Sequence, residues 1–171
     1  MTDERTALII KVPDACRIAD LPGAFSEGRR LGVPPHVTLV TPFAPLDEWQ
    51  TSTGSRLGAV LDSVARFDAT FSRVERFPDG TRWLAPDDPG PFIRLIERIL
   101  AAFPGFPPYG GIHDGIVPHL SIGDADPSAV LARGPFSVSV HEVVLGSYTA
   151  DADSWQDHHR MALSVRATGA S

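Results

Sequence analysis

An α+β fold of two similar lobes is predicted for this chain, and three observations predict it. The pentapeptide Pro35-His36-Val37-Thr38-Leu39 returns later as Pro118-His119-Leu120-Ser121-Ile122. Each copy has strand-like apolar runs and a helical stripe nearby. Hairpin turns join several strands, and strands and helices alternate too irregularly for a doubly wound parallel sheet. The expected architecture is two pseudo-symmetric lobes of mainly antiparallel sheet, with helices packed outside and a central groove between the lobes. A length of 171 residues suits one domain over residues 1–171.

The elements follow in order. Ala7 to Val12 is an apolar first strand. Residues 13–34 are rich in turn formers and are expected as loop with a short helix. His36 to Thr41 is the first motif strand, opened by a proline that suits a strand's first position. Asp47 is placed to cap a helix running to about Ala65, with Trp49, Leu57, Val60, Leu61 and Val64 as its apolar stripe. Ala69 to Phe77 and Thr81 to Ala85 read as strands joined by the turn Pro78-Asp79-Gly80. Pro91 suits a first helical turn, and Phe92, Leu95, Ile96, Ile99, Leu100 and Phe103 form a core-facing stripe to about Ala102. Pro104 ends that helix. A Pro/Gly-rich loop leads into the second motif strand. Ser128 to Ala132 is a short helix, and Phe136 to Tyr148 and His159 to Val165 are the last two strands.

The repeat carries the chemistry. With 6 His and 16 Pro in the chain, chance yields roughly 0.01 copies of such a pattern, so two copies are not an accident of composition. Side chains alternate along a strand. His36 and Thr38 therefore share one face, and Val37 and Leu39 the other. His119 and Ser121 pair likewise, opposite Leu120 and Ile122. Two such polar faces opposed across a groove hold two imidazoles and two hydroxyls around one small anion. On a phosphodiester, a neutral imidazole takes a proton from water and a protonated one gives a proton to the leaving oxygen. Thr38 and Ser121 donate to the non-bridging oxygens as charge builds. This logic requires no metal, and it does not say which histidine is the base.

The two His-x-Thr/Ser-x motifs resemble those of the two-histidine (2H) phosphoesterases, which include the RNA 2′,3′-cyclic phosphodiesterases often named 2′-5′ RNA ligases. The resemblance extends over Gly32 to Phe43, Arg76 to Leu84 and Phe106 to Ser121, and so spans most of the chain. It implies a bilobal fold with one motif per lobe. It also implies a metal-independent hydrolase of a 2′,3′-cyclic phosphate or a related nucleotide or RNA-end phosphodiester, with His36, Thr38, His119 and Ser121 as catalytic residues. The partner implied is a small nucleotide or an RNA terminus, with no cofactor and no metal. A non-catalytic nucleotide or RNA-end binding module of the same fold is the alternative.

Composition narrows the field. The net charge of −6 and the lack of any Lys/Arg run argue against binding long double-stranded nucleic acid. Lys11, the chain's one lysine, lies in an apolar strand without a nucleotide-binding motif. There is no phosphate-binding Gly-x-x-x-x-Gly-Lys loop, so an ATP-driven ligase with a lysine nucleophile is not expected. The single cysteine, Cys16, excludes an intramolecular disulfide. The polar start and short apolar run match neither a signal peptide nor a membrane span. A soluble, cytoplasmic monomer without membrane contact is expected.

Further residues are candidates for binding. Trp83 and Tyr148 can stack on a base, Phe43 follows the first motif closely, and Arg82 can meet a phosphate. His113 and Asp114 with His119 would make an O/N metal site, but their spacing is no known zinc pattern. His158 and His159 are neighbours on a strand and point to opposite faces, so they do not chelate together. His141 is expected at the surface.

Overall fold

Strand β1 (Arg5–Lys11) carries five consecutive buried residues, Thr6 to Ile10, so it lies inside a sheet with both faces covered. The computed structural model describes residues 3–111 and 115–165. The other strands are β2 (His36–Val40), β3 (Phe67–Arg76), β4 (Arg82–Pro86), β5 (Leu120–Gly123), β6 (Phe136–Val140), β7 (Glu142–Tyr148) and β8 (Gln156–Ala162). They form two four-stranded sheets, in the orders β2-β1-β7-β8 and β5-β4-β3-β6. All the pairings within the sheets are antiparallel. The two motif strands, β2 and β5, occupy equivalent edge positions and touch each other.

The expected alternation is present in both. Val37 and Leu39 are buried while His36 and Thr38 are partly accessible. Leu120 and Ile122 are buried while Ser121 is exposed. One apolar cluster takes residues from both sheets, among them Leu8, Val37, Phe71, Leu84 and Leu120. Helices α1 (Ser26–Leu31), α2 (Gly54–Asp62), α3 (Gly90–Ala102) and α4 (Pro127–Ala132) complete the regular structure. Helix α3 buries Phe92, Leu95, Ile96 and Ile99, the stripe expected of it. Among the described residues no helix is long and apolar enough to cross a membrane.

A glycine seam fixes β5 against the first lobe. Phe25 N–H donates to Ile122 O at 3.1 Å, and Asp124 N–H donates to Gly23 O at 2.9 Å. Gly123 has φ +66°, and a Cβ there would lie 2.5 Å from Gly23 O and 2.7 Å from Ser26 N. Only a residue without a side chain allows the backbones to approach so closely. The seam begins at Ile122, the residue after Ser121.

Three expectations need correction. Asp47 does not cap a long helix. It lies in a short 3-10 turn (Leu46–Glu48), followed by a wide turn (Trp49–Thr53) closed by Gly54 N–H bonding Trp49 O. The α-helix begins only at Gly54. The run Thr51-Ser52-Thr53-Gly54 is weak in helix propensity, and the Trp49 ring lies where a Cβ of Gly54 would be, 2.9 Å from Cε2. Second, residues 136–148 are not one strand. The chain breaks at exposed His141, sending β6 to one sheet and β7 to the other. A strand-like pattern runs on both sides of His141-Glu142, and that polar pair alone does not mark such a boundary. Third, the last strand starts at Gln156, so His158 and His159 lie inside β8. They diverge as expected: His158 Nε2 meets Ser147 Oγ at 2.7 Å, and His159 stacks on Trp49 at 4.1 Å.

Candidate active site

Both motif histidines are held the same way. His36 Nδ1 lies 2.8 Å from Pro34 O, and His119 Nδ1 lies 2.7 Å from Val117 O. A carbonyl oxygen can only accept, so Nδ1 carries the hydrogen in each ring. Nε2, on the other side of the ring, is then the basic nitrogen of the neutral form. In both cases the carbonyl belongs to the residue before the motif proline, so one local geometry orients both imidazoles.

The repeated strands bring the four motif side chains together. His36, Thr38, His119 and Ser121 all wall one cavity of about 410 Å³. Burial lowers the His36 pKa from its ordinary value; the Pro34 carbonyl opposes this and nearby His119 adds to it. A half-buried, largely desolvated imidazole beside a second one favours its neutral, proton-accepting form. Thr38 and Ser121 stand on β2 and β5 respectively, so their hydroxyls reach the cavity from different sheets. The arrangement offers proton acceptors, proton donors and hydroxyl donors around a single space.

His119 has an aromatic surround. Phe77 lies 5.1 Å away edge-on, Trp83 5.9 Å edge-on, and Tyr109 6.4 Å away and nearly parallel. The cavity continues from the histidines along β1 to Tyr148, Trp155 and Arg5. Ile9 faces Thr38 and Arg5 faces Tyr148 across their respective strand pairs. The four residue steps from Ile9 to Arg5 span about 13 Å, roughly one nucleotide. Lys11 pairs with His36 in register, but its ammonium is engaged by the Asp157 carboxylate.

The remaining candidates divide. Tyr148 walls the cavity, its hydroxyl 3.3 Å from Thr41 Oγ1. Trp83 is not among the residues walling this cavity. It packs behind Phe77, ring centroids 4.9 Å apart, and against the edge of His119. Phe43 is a core residue, 4% exposed and packed on Phe103 and Phe106. Arg82 donates to Ala125 O at 3.3 Å and is not among the residues walling this cavity. His113 and Asp114 lie outside the described residues. Among the described residues no group of three His, Cys, Asp or Glu is placed to hold a metal ion.

Trp155 is the residue that sequence reading misses. Its indole lies flat where Gly146 has no side chain; a Cβ there would be 2.2 Å from Cζ2. Its Nε1 donates to Asp157 Oδ1 at 2.8 Å, and its ring lies 6.3 Å from that of Tyr148, nearly parallel. A glycine inside an apolar strand is the available signal of such a close approach.

Solved structures share this architecture. Escherichia coli LigT complexed with 3′-AMP is 16% identical, with 94% of this chain and 98% of that one covered and a TM-score of 0.64. LigT complexed with NADP+ is also 16% identical, covering 96% and 99%, at a TM-score of 0.61. TT0787 of Thermus thermophilus is again 16% identical, covering 93% and 97%, at a TM-score of 0.64. At that identity these likenesses show the fold. No curated protein matches the chain by sequence. The family model of the 2′-5′ RNA ligase superfamily matches residues 11–152, a span that contains both motifs. By that match over most of its length, this chain belongs to the 2′-5′ RNA ligase superfamily.

Proposed function

We propose that the protein is a metal-independent phosphodiesterase that hydrolyses a 2′,3′-cyclic phosphate or a related nucleotide or RNA-end phosphodiester. The observation that carries this reading is the convergence of His36, Thr38, His119 and Ser121 on one cavity. Membership of the superfamily supports the reaction class. The complexes of E. coli LigT with 3′-AMP and NADP+ support a nucleotide ligand.

The proposed step divides the work between the imidazoles. His36, kept neutral by burial, accepts a proton from water through Nε2 as the water oxygen bonds to phosphorus. The bond from phosphorus to one ribose oxygen breaks, and protonated His119 gives its proton to that oxygen. Thr38 and Ser121 donate hydrogen bonds to the non-bridging oxygens, whose charge increases in the transition state. A cyclic phosphate and water become one phosphomonoester with a free neighbouring hydroxyl.

The test is turnover of mononucleoside 2′,3′-cyclic phosphates by purified protein in excess chelator, with the product isomer identified. Ring opening to a single 2′- or 3′-monophosphate is expected. Tight nucleotide binding without turnover would replace this reading with that of a binding module.

A further inference from the structure

Asp157 is a hydrogen-bonding hub on the cavity side of its sheet. Its Oδ1 accepts from Trp155 Nε1 at 2.8 Å. Its Oδ2 accepts from Lys11 Nζ and, at 3.3 Å, from Arg160 Nη2. Arg160 turns its other nitrogen, Nη1, to Glu142 Oε1 at 3.5 Å. The Asp157 and Lys11 side chains are largely covered, at 28% and 22% exposed. Burial disfavours the Asp157 anion, but the bonds from Lys11 and Trp155 outweigh it and leave its pKa below the ordinary value. The carboxylate is therefore ionised throughout the neutral range.

Strand register sets the two arms of this hub at the two ends of the site. Gly146, beneath the Trp155 indole, pairs with Asp157 on one side and with Ala7 on the other. Trp155 and Tyr148 form the shelf at that end. Lys11 stands directly opposite His36 and two residues from Ile9, so its side chain leaves the same sheet face as the imidazole. His36 and Ile9 wall the 410 Å³ cavity, yet Lys11 is not among its walls. Asp157 draws the ammonium the other way, across β7 to β8.

A cation beside the histidines would not serve substrate and product alike. A cyclic phosphodiester carries one negative charge, and the monoester formed from it carries about 1.5 to 2 at pH 7. An ammonium at the phosphate therefore holds the product more tightly than the substrate and slows its release. We propose that Asp157 is a positioning residue of this site, one oxygen fixing the Trp155 shelf and the other holding Lys11 off the phosphate. The gain in product release rests on the hydrolytic role given above, whereas the effect on binding does not.

The test is equilibrium binding of inorganic phosphate and of 3′-AMP, which needs no turnover. Kd values are read from NMR titrations, and selectively labelled lysine gives a single signal because Lys11 is the chain's one lysine. Asp157→Ala and Asp157→Asn should each tighten inorganic phosphate by about 3- to 5-fold. Phosphate should move the Lys11 signal in these variants and leave it in place in the wild type. Adding Lys11→Met to Asp157→Ala should restore the wild-type phosphate Kd. The ratio of the 3′-AMP Kd to the phosphate Kd isolates the base. It should rise by about 3- to 10-fold in Asp157→Ala, and joining Asp157→Ala to Trp155→Ala should raise it no further than Trp155→Ala alone. Asp157→Asn has the same shape and keeps an acceptor for Trp155, so its ratio should stay near the wild-type value. An unchanged phosphate Kd in Asp157→Asn, or an unchanged ratio in folded Asp157→Ala, would overturn the role of Asp157. These binding shifts without any turnover of a cyclic phosphate would uphold that role and overturn the hydrolytic reading alone.

Discussion

His36 opens β2 and His119 immediately precedes β5, in different sheets, yet they wall one cavity and tether Nδ1 to the carbonyl two residues earlier, at 2.8 and 2.7 Å. The match is local geometry repeated: a residue, a proline, then the histidine. The difference between them lies in their surroundings. His36 is desolvated, and His119 is flanked by Phe77, Trp83 and Tyr109.

That difference predicts the pH profile. Burial lowers the His36 pKa from the ordinary value of about 6.5. Protonating His36 removes the base, so the rate should fall only as pH drops below about 6.5. Stability follows with the same sign. The unfolded chain takes up this proton near pH 6.5 and the folded chain only at lower pH, so acidification through that window favours unfolding. A rate profile from about pH 4.5 to 8, with Tm measured alongside, checks both. The acid limb belongs to the coupled pair, and a limb above pH 6.5 would contradict the assignment of His36.

The hydroxyls should matter less than the imidazoles. Thr38→Ala and Ser121→Ala each remove one donor to the phosphoryl oxygens and should lower kcat by about 10-fold, with KM changed little. Thr38→Ser should retain most of the rate. Steady-state kinetics on a cyclic phosphate decide this, and normal kcat in both alanine variants would remove the hydroxyls from the chemistry.

Trp155 and Gly146 are predicted to act as one unit. Gly146→Ala places a methyl group where the indole lies, so Trp155 must move and the shelf beside Tyr148 must change. Both Gly146→Ala and Trp155→Ala should raise KM for a cyclic nucleotide by about 5- to 10-fold, as expected when base stacking is lost. Unchanged KM in Trp155→Ala would show that the base does not rest there.

The Gly123 seam should show itself as stability. An alanine at φ +66° would meet backbone from residues 23 and 26, so Gly123→Ala should cost about 1–3 kcal/mol. For a chain of this length that corresponds to a Tm loss of about 2–4 °C per kcal/mol. Thermal unfolding of the variant checks it, and an unchanged Tm would mean that the seam yields freely.

The motif strands were legible because a strand's two-residue period sorts His36 and Thr38 from Val37 and Leu39, and the repeat excludes coincidence. Helix α3 was legible from its stripe of Phe92, Leu95, Ile96 and Ile99. The break at His141 was not, because the residues on either side both read as strand and periodicity does not say which sheet each joins. Phe43 was plausible by its nearness to the first motif and Arg82 by its charge. One is drawn into the core by Phe103 and Phe106, and the other hydrogen-bonds Ala125 O. Trp155 and Phe77 reach the site through hairpins whose register depends on tertiary packing, so residue type alone did not mark them.

The proposed chemistry stands or falls with His36 and His119 together cleaving a phosphodiester without a metal. The most direct measurement is kcat/KM for adenosine 2′,3′-cyclic phosphate in excess EDTA, for the wild type, His36→Ala and His119→Ala, with circular dichroism on each. Chelator-insensitive turnover by the wild type is expected, with a loss of at least about 100-fold in each variant, all three spectra being alike. Near-normal turnover in either folded variant, or wild-type activity lost in EDTA and restored by zinc, would contradict it.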